Sequence, residues 1–256
     1  MHSSGFANNM SRAHIMKRPI SILMYHQVDM PPPSGTPMRG MVVAPRSFAR
    51  QMAMLKMLGF KGVSMRHLEP WLRGERDDPV VAITFDDGYL NNLQHALPIL
   101  KRNGFTATCY AVSNALGGWN QWDAEKGIPR KALMDRAQLR EWLAAGMDVG
   151  AHSRNHLDLL LQDDKTALDE IAGCKSELES ALNVEVRHFC YPYGHFNETH
   201  RTMVEQAGYA SATTVQRARV LASDNVYALP RVLVAQATNW AQFLAKITTG
   251  YEDRHR

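Results

Sequence analysis

Two hydrophobic periods alternate along the chain. Short apolar runs at 20–24 and 79–85 are typical of buried strands, whereas apolar residues at 45–58 recur at helical spacing. The other strands are predicted at 106–112, 147–151, 187–191, 211–214 and 228–234, with a weak strand beginning at Val63. The other helices are predicted at 93–102, 136–145, 165–182, 198–207 and 240–247, with a short helix ending at Leu72. This alternation predicts a mostly parallel sheet, and about seven or eight such units close more naturally as an α/β barrel than as an open sheet.

Turn residues separate these elements without marking a domain boundary. A glycine ends four of the predicted helices: Gly59, Gly104, Gly146 and Gly208. The proline-rich stretch at 31–37 is predicted as a loop. Because neither a repeat nor a low-complexity tract interrupts the pattern, we expect one domain over 19–256, preceded by a flexible polar segment over 1–18.

The composition indicates a globular protein but says little about its function. The 256 residues are 45% hydrophobic and 21% charged, as in an ordinary globular protein. The 29 basic and 25 acidic residues give a net charge of +4 and are interspersed, so we expect no nucleic-acid partner. Three cysteines without a CxxC pair argue against a disulfide scaffold.

The sequence also bears on location in the cell. It contains neither an apolar run long enough to cross a membrane nor a recognisable signal peptide. We therefore expect no integral membrane segment and a cytoplasmic protein, or a periplasmic or extracellular one if a leader was removed. The oligomeric state is left open.

Polar residues follow or lie in five of the predicted strands: His26, Asp86 with Asp87, His152 with His156, Tyr191 with Tyr193, and Arg231. In a parallel β/α barrel the carboxyl ends of the strands face one mouth, where catalytic groups collect. These five clusters are therefore predicted to converge on one pocket.

Each cluster also has a purely structural interpretation. The run Asp86–Asp87–Gly88 is typical of a turn, and Ser153 is a plausible N-cap of a following helix. The stretch 191–194 is typical of a rigid turn with core aromatic residues, and His26 could be a satisfied core histidine.

Taken together, the clusters indicate metal chemistry. His152 and His156 lie four positions apart, so both can reach one ion from a helix or a tight turn. A carboxylate from Asp86 or Asp87 would complete a set of three protein ligands that leaves a position for water, as in catalytic metal sites. In an extended backbone the two aspartates would point apart, so one would bind the ion while the other takes a proton from water.

The remaining clusters supply the other groups that acyl hydrolysis needs. Backbone N–H groups of the turn at 191–194 would stabilise an oxyanion. His26 is the best placed acid for a departing amine or alcohol. The sequence therefore predicts metal-assisted acyl hydrolysis.

Three sequence motifs resemble those of a known family. TFDDG at 84–88, HSRNH at 152–156 and YPYG at 191–194 are similar to the first three motifs of the polysaccharide deacetylases, also called the NodB homology domain or carbohydrate esterase family 4. The resemblance extends from about Ile20 to Val234. It implies an irregular (β/α)₇ barrel of the NodB type.

The resemblance also implies a role for each matching residue. Asp86 would be the general base, and Asp87, His152 and His156 would bind a divalent metal, usually zinc, with cobalt or nickel as alternatives. Tyr193 would give its backbone N–H to the oxyanion.

Two departures from the family pattern point to a subgroup. Cys190 stands where the family commonly has an arginine beside the catalytic aspartate, and the usual late Leu-x-His motif is absent after Val220. MYHQV at 24–28 and ALPRV at 228–232 are similar to the deacetylases of poly-β-1,6-N-acetylglucosamine, whose acid histidine comes first. This similarity supports His26 as the acid. Arg231 would either replace the missing arginine or form a structural salt bridge.

These observations predict a divalent-metal-dependent hydrolase that removes N-acetyl groups from a GlcNAc-type poly- or oligosaccharide. The alternatives are an O-acetyl esterase or a deformylase acting on a small or lipid-linked sugar, and a catalytically silent carbohydrate-binding barrel. Trp119 and Trp122 are candidates to stack on sugar rings, whereas Trp142 lies in a helical pattern typical of core. The absence of a visible leader keeps a cytosolic precursor or a small sugar open as alternatives to an external polymer.

Overall fold

Seven parallel strands close into a barrel in a computed structural model that describes residue 16 and residues 18–255. The strands of the ring are β1 (Ser21–Tyr25), β5 (Val80–Phe85), β6 (Thr108–Ala111), β7 (Asp148–Ala151), β8 (His188–Cys190), β9 (Ser211–Arg217) and β10 (Leu229–Leu233). Pairing of β1 with both β10 and β5 closes the ring. A short strand, β4 (Lys61–Val63), pairs with the start of β5. The predicted α/β barrel is confirmed.

Eight α-helices are described: α1 (Pro45–Met57), α2 (Met65–Leu72), α3 (Leu97–Asn103), α4 (Arg136–Ala144), α5 (Asp164–Leu168), α6 (Cys174–Leu182), α7 (Glu198–Gln206) and α8 (Trp240–Thr248). In α1, Pro45 occupies the first turn, and Phe48, Met52 and Leu55 are buried on one face. The glycines predicted to end helices all have positive φ, as at Gly104, where φ is +72°.

Four features differ from the sequence-based predictions. The helix predicted over 93–102 begins as a π-helical turn, Asn92–Ala96, which precedes α3. The weak strand predicted to begin at Val63 instead ends there. The helix predicted over 165–182 is interrupted by a π-helical turn, Asp169–Gly173, which joins α5 to α6. A small parallel pair, β2 (Gln27–Val28) with β3 (Val42–Val43), was not predicted, because two residues are too few to show a hydrophobic period.

The core between the strands and the helices is rich in aromatic residues. Tyr25 on β1 packs edge-on against Phe48 of α1, and Phe85 on β5 packs edge-on against Trp142 of α4. Trp142 is fully buried, and its indole N–H donates to the carbonyl of Asp148 over 2.9 Å. Its predicted place in the core is confirmed.

A buried polar cluster lies at the amino-terminal end of the barrel strands, where β7, β8 and β9 begin. His188 is fully buried, its Nδ1 lies 2.9 Å from Ser211 Oγ, and its Nε2 lies 3.5 Å from Glu69 Oε1. Burial lowers the pKa of His188 to about 4, although the charges of Asp148 and Glu69 act in the opposite direction. His188 is therefore neutral in the folded protein at neutral pH.

We expect this cluster to make stability depend on pH. The unfolded histidine takes up a proton near pH 6.5, whereas the folded one stays neutral down to about pH 4, so stability falls as the pH drops through this window. The expected loss between pH 7.5 and pH 5 is about 2 kcal/mol. Urea unfolding at both pH values should show that His188→Gln removes this loss while His95→Gln, at a partly exposed histidine, keeps it. An unchanged pH dependence in His188→Gln would contradict the expectation.

In the described part of the chain, no helix combines the length and the apolar character needed to cross a bilayer. Of the segment 1–18 that was predicted to be flexible, all residues except 16 and 18 lie outside the described residues.

Candidate active site

The carboxyl ends of the barrel strands surround a cavity of about 400 Å³. The described structure brings six of the predicted site residues to the cavity wall: His26, Asp86, Asp87, His152, His156 and Tyr193. The seventh, Arg231, lies directly beneath the wall, against Asp86. The parallel strand order thus brings together side chains that are distant in sequence.

The two aspartates diverge because the chain turns sharply after β5. Asp87 has a φ of +73°, a left-handed conformation that aspartate tolerates better than most residues, and Gly88 continues the turn at +79°. The sequence analysis attributed this divergence to an extended backbone. The backbone at Asp87 is instead left-handed. Asp86 faces Arg231, whereas Asp87 faces the two histidines.

Arg231 holds Asp86 through a bidentate ion pair. Nη1 and Nη2 each lie 2.7 Å from one carboxylate oxygen, and both side chains are almost fully buried. The same guanidinium donates from Nε to the carbonyl of Thr214 over 2.7 Å, and Nη2 lies 3.2 Å from Cys190 Sγ. A register shift between β9 and β10, at Leu229–Arg231, accompanies this placement. The small side chain of Cys190 leaves space for the guanidinium.

The ion pair keeps Asp86 charged although it is buried. Burial acts to raise the pKa of Asp86, but the charge and hydrogen bonds of Arg231, with help from His26, outweigh it and lower the pKa. Asp86 is therefore a carboxylate that is able to accept a proton. Arg231 was expected either to replace the missing arginine beside Asp86 or to form a structural salt bridge. The contact is compatible with both, since one ion pair can be structural and also orient a base.

Asp87 and the two histidines form a compact set of donor atoms. Asp87 Oδ1 lies 3.4 Å from His152 Nε2 and 3.3 Å from His156 Nε2, and all three atoms lie within 4.8 Å of one another. The segment that carries the histidines is a tight turn, with φ of +62° at Ser153 and +58° at His156. Ser153 Oγ accepts a hydrogen bond from the N–H of His156 over 3.0 Å. Ser153 closes this turn and does not cap a helix, which corrects the structural interpretation.

The orientation of these rings suits a metal ion. His152 Nδ1 lies 2.8 Å from the carbonyl oxygen of Cys190, which can only accept, so Nδ1 carries a proton, and in the neutral ring Nε2 offers its lone pair. Three lone-pair donors that face one another at these distances could hold a cation between them. His156 Nδ1 is buried without a hydrogen-bond partner among the described residues. One carboxylate and two imidazoles are a donor set that fits zinc or a similar divalent ion.

His26 and Tyr193 line the same cavity, near Asp86 and near His156 respectively. His26 Nε2 is 4.0 Å from Asp86 Oδ2, and its side chain is 20% exposed, so it lines the cavity and is not a core histidine. Tyr193 has a φ of +58° in the short turn Pro192–Gly194, and its ring meets the edge of the His156 ring at 4.7 Å. The stretch 191–194 is thus a rigid turn, and Tyr191 within it is fully buried, as the structural interpretation predicted.

One wall of the cavity comes from the segment between β6 and α4. Trp122 stacks on the His156 ring with centroids 4.4 Å apart, and Lys126 Nζ lies 3.3 Å from Tyr193 Oη. Trp119 is not in the cavity wall, and Arg130 covers its ring at 4.6 Å. Of the two candidate sugar-stacking residues, only Trp122 is brought to the site.

Glu170 supports the histidine turn and was not predicted. Its buried carboxylate accepts a hydrogen bond from the N–H of Asn155 over 2.9 Å and a second one from the Asn155 side chain. The π-helical turn, Asp169–Gly173, carries Glu170. A π turn of this kind is often found near functional sites, but the helical pattern of the sequence does not show it.

We expect the substitution Glu170→Gln to weaken metal binding by about 10–100-fold, as is usual for residues that orient metal ligands. The new amide keeps one oxygen and can accept only one of the two hydrogen bonds, so its NH2 group would face the other N–H donor of Asn155 and loosen the turn that places His156. Competition with a chromophoric zinc chelator measures the affinity, with Glu198→Gln, at an exposed ion pair, as the control. Equal affinities in the two variants would contradict the expectation.

The fold and the site are those of a β/α-barrel protein with titratable side chains at the carboxyl ends of its strands. A family model described as polysaccharide deacetylase matches residues 73–212, which is more than half of the chain. The chain belongs to the polysaccharide deacetylase family, as its motifs predicted.

Two known proteins are similar to this chain in sequence. YxkH of Bacillus subtilis, named for the same family, is 26% identical over 230 residues, which cover 89% of this chain and 76% of that protein. The poly-β-1,6-N-acetyl-D-glucosamine N-deacetylase of Staphylococcus aureus is 22% identical over 164 residues, which cover 60% of this chain and 54% of that protein. The match thus spans about half the length of the staphylococcal protein.

Solved structures share the fold over most of the chain. The deacetylase PplD of Streptococcus pyogenes, solved with acetate, has a TM-score of 0.79 at 24% identity, covering 90% of this chain and 98% of that one. IcaB of Ammonifex degensii has a TM-score of 0.77 at 25% identity, covering 92% of this chain and 100% of that one. These structures confirm the NodB-type (β/α)₇ barrel.

Proposed function

We propose that this protein is a divalent-metal-dependent deacetylase that removes N-acetyl groups from a GlcNAc-type oligo- or polysaccharide. The observation that carries the proposal is the division between the two aspartates. Asp86 is held by Arg231 as a charged base, whereas Asp87 faces the imidazoles of His152 and His156 as a metal ligand.

Asp87, His152 and His156 would hold the metal ion. When bound, a divalent ion supplies Lewis acidity that polarises the acyl oxygen and makes water more acidic. Ionised Asp86 takes a proton from the attacking water, and Arg231 keeps this carboxylate fixed and charged. General base catalysis of this kind contributes about 10²–10⁴-fold to the rate.

His26 would act in the second step, when the bond between the acyl carbon and the sugar nitrogen breaks. The new bond forms between the water oxygen and the acyl carbon, and the bond between that carbon and the sugar nitrogen then breaks. The nitrogen leaves as an amine only if it gains a proton, and His26 lies beside Asp86 at the cavity wall in a position to supply it. The backbone N–H of Tyr193 would assist the acyl oxygen.

The choice of an N-acetylated sugar rests on two kinds of support. The staphylococcal relative is named for the deacetylation of poly-β-1,6-N-acetyl-D-glucosamine. Trp122 and Tyr193 border both the inner cavity and a neighbouring groove of about 740 Å³, which is lined largely by polar side chains. Aromatic faces beside a polar groove suit sugar rings, and the groove leaves room for units beyond the reacting one.

A substrate panel tests the proposal. The purified protein, loaded in turn with zinc, cobalt or nickel, is given N-acetylglucosamine oligomers, an O-acetylated sugar and an N-formylated sugar. We expect the N-acetyl oligomers to be the best substrate, and Asp86→Asn to lose about 10²–10⁴-fold of this activity while it retains the metal. Preference for the ester or the formamide would overturn the choice of substrate. Sugar binding without turnover would favour a silent binding barrel.

A further inference from the structure

Asn92 follows the turn that carries Asp86 and Asp87, and its side chain binds the backbone around His26. It lies in the π-helical turn Asn92–Ala96 that follows the loop, and its side chain is fully buried. Its Nδ2 donates to the carbonyl of His26 over 2.7 Å, and its Oδ1 accepts from the N–H of Val28 over 3.0 Å. One amide group thus holds the backbone on both sides of Gln27.

This clamp matters because, among the described residues, no side-chain hydrogen bond fixes the His26 ring. The residue lies between β1 and β2, outside both strands. Its Nδ1 has no hydrogen-bond partner among the described residues, and its Nε2 is 4.0 Å from Asp86, too far for a hydrogen bond. The direction of the imidazole therefore depends mainly on the backbone from which it projects.

The clamp needs a donor and an acceptor on one side chain, and the Asn92 amide supplies both. An ionised carboxylate at position 92 would still accept from Val28, but it has no proton to donate to the carbonyl of His26 and would repel it. The neighbouring Asn91 binds elsewhere, donating to Gln27 Oε1 over 2.9 Å. The contacts of Asn92 are thus specific to the peptide groups that flank Gln27.

We propose that Asn92 is a positioning residue that holds His26 where it can protonate the departing amine, an inference that rests on the proposed function. An error of about 1 Å in the placement of a catalytic group can cost about 10²-fold in rate. Loss of the clamp should therefore slow the cleavage of amides, whose leaving group needs a proton. An aryl acetate releases a stable phenolate and does not need this proton.

The test compares Asn92→Asp with Asn103→Asp. Asn103 is a matched control, because it also donates an amide N–H to a carbonyl, that of Ile99 over 2.8 Å, but lies at the end of α3. For Asn92→Asp we expect a loss of about 10–100-fold in kcat on an N-acetylglucosamine oligomer, with turnover of an aryl acetate within about twofold of wild type. The control should match wild type on both substrates.

A double variant separates positioning from general damage. If Asn92 acts through His26, then Asn92→Asp should cause no further loss on the amide once His26→Ala is present. Equal losses on the amide and the aryl acetate, or a full additional loss in the double variant, would overturn the proposal. So would Asn92→Asp with wild-type activity on the amide.

The failure of the proposed function would look different. In that case the wild-type protein itself would leave the N-acetyl sugar intact, whatever residue stands at position 92. A crystal structure of Asn92→Asp then decides the positional claim: a displaced or disordered His26 ring supports it, and a ring still 4.0 Å from Asp86 overturns it.

Discussion

Replacing Asp87 with asparagine is expected to abolish metal binding and to lower deacetylation by at least about 10³-fold. The amide is neutral, so the site loses the negative charge that balances the ion between the two imidazoles. Metal catalysis supplies several kcal/mol of transition-state stabilisation, and each 1.4 kcal/mol corresponds to about a factor of ten in rate.

The fold of this variant should survive. Asp87 has a φ of +73°, and asparagine is one of the few residues that tolerate this conformation as well as aspartate does. Metal content after purification, turnover and the urea midpoint are measured together, with Asp163→Asn as the control. Asp163 caps α5, where asparagine caps equally well. A variant with wild-type metal content and turnover would exclude Asp87 as a ligand.

Removing Arg231 is expected to have the largest effect on stability. The substitution Arg231→Met leaves the buried carboxylate of Asp86 without its charged partner. Breaking a buried ion pair from one side costs about 3–5 kcal/mol, whereas removing both charges is often nearly neutral. The double variant Arg231→Met with Asp86→Asn should therefore recover much of the lost stability while it remains inactive.

Urea unfolding of both single variants and of the double variant measures this coupling. Arg201→Met is the matched control, because its partner Glu198 is exposed and such pairs contribute less than about 1 kcal/mol. A double variant that is no more stable than Arg231→Met would show that the ion pair does not explain the loss. It would also weaken the account of how Asp86 stays charged.

The barrel and the convergence of the site were predictable from the sequence because both follow from strand order. Asp86 and His152 come directly after strands, and parallel strands bring such positions to one mouth without any knowledge of loops. The grouping of His152 with His156 was also predictable from their spacing. The sequence did not show that a left-handed turn, rather than a helix, brings them together.

The supporting contacts were not predictable, since they depend on irregular backbone. The pairing of Arg231 with Asp86 accompanies a register shift in the sheet, which leaves no hydrophobic signal. Glu170 and Asn92 both lie in π-helical turns, and the 3.6-residue period does not reveal such turns. In the case of Asn92, the only available signal was the pair of asparagines at 91–92, which follow the DDG motif after two intervening residues.

The most direct test of the central claim is the product balance of the metal-stripped and the reloaded protein on an N-acetylglucosamine oligomer. The proposed function predicts no products after stripping. After reloading with zinc it predicts acetate and free amine in equal amounts, with no activity restored to Asp87→Asn. Equal deacetylation by the stripped and the reloaded protein would contradict the metal site, and a reloaded protein that releases no acetate would contradict the deacetylase function.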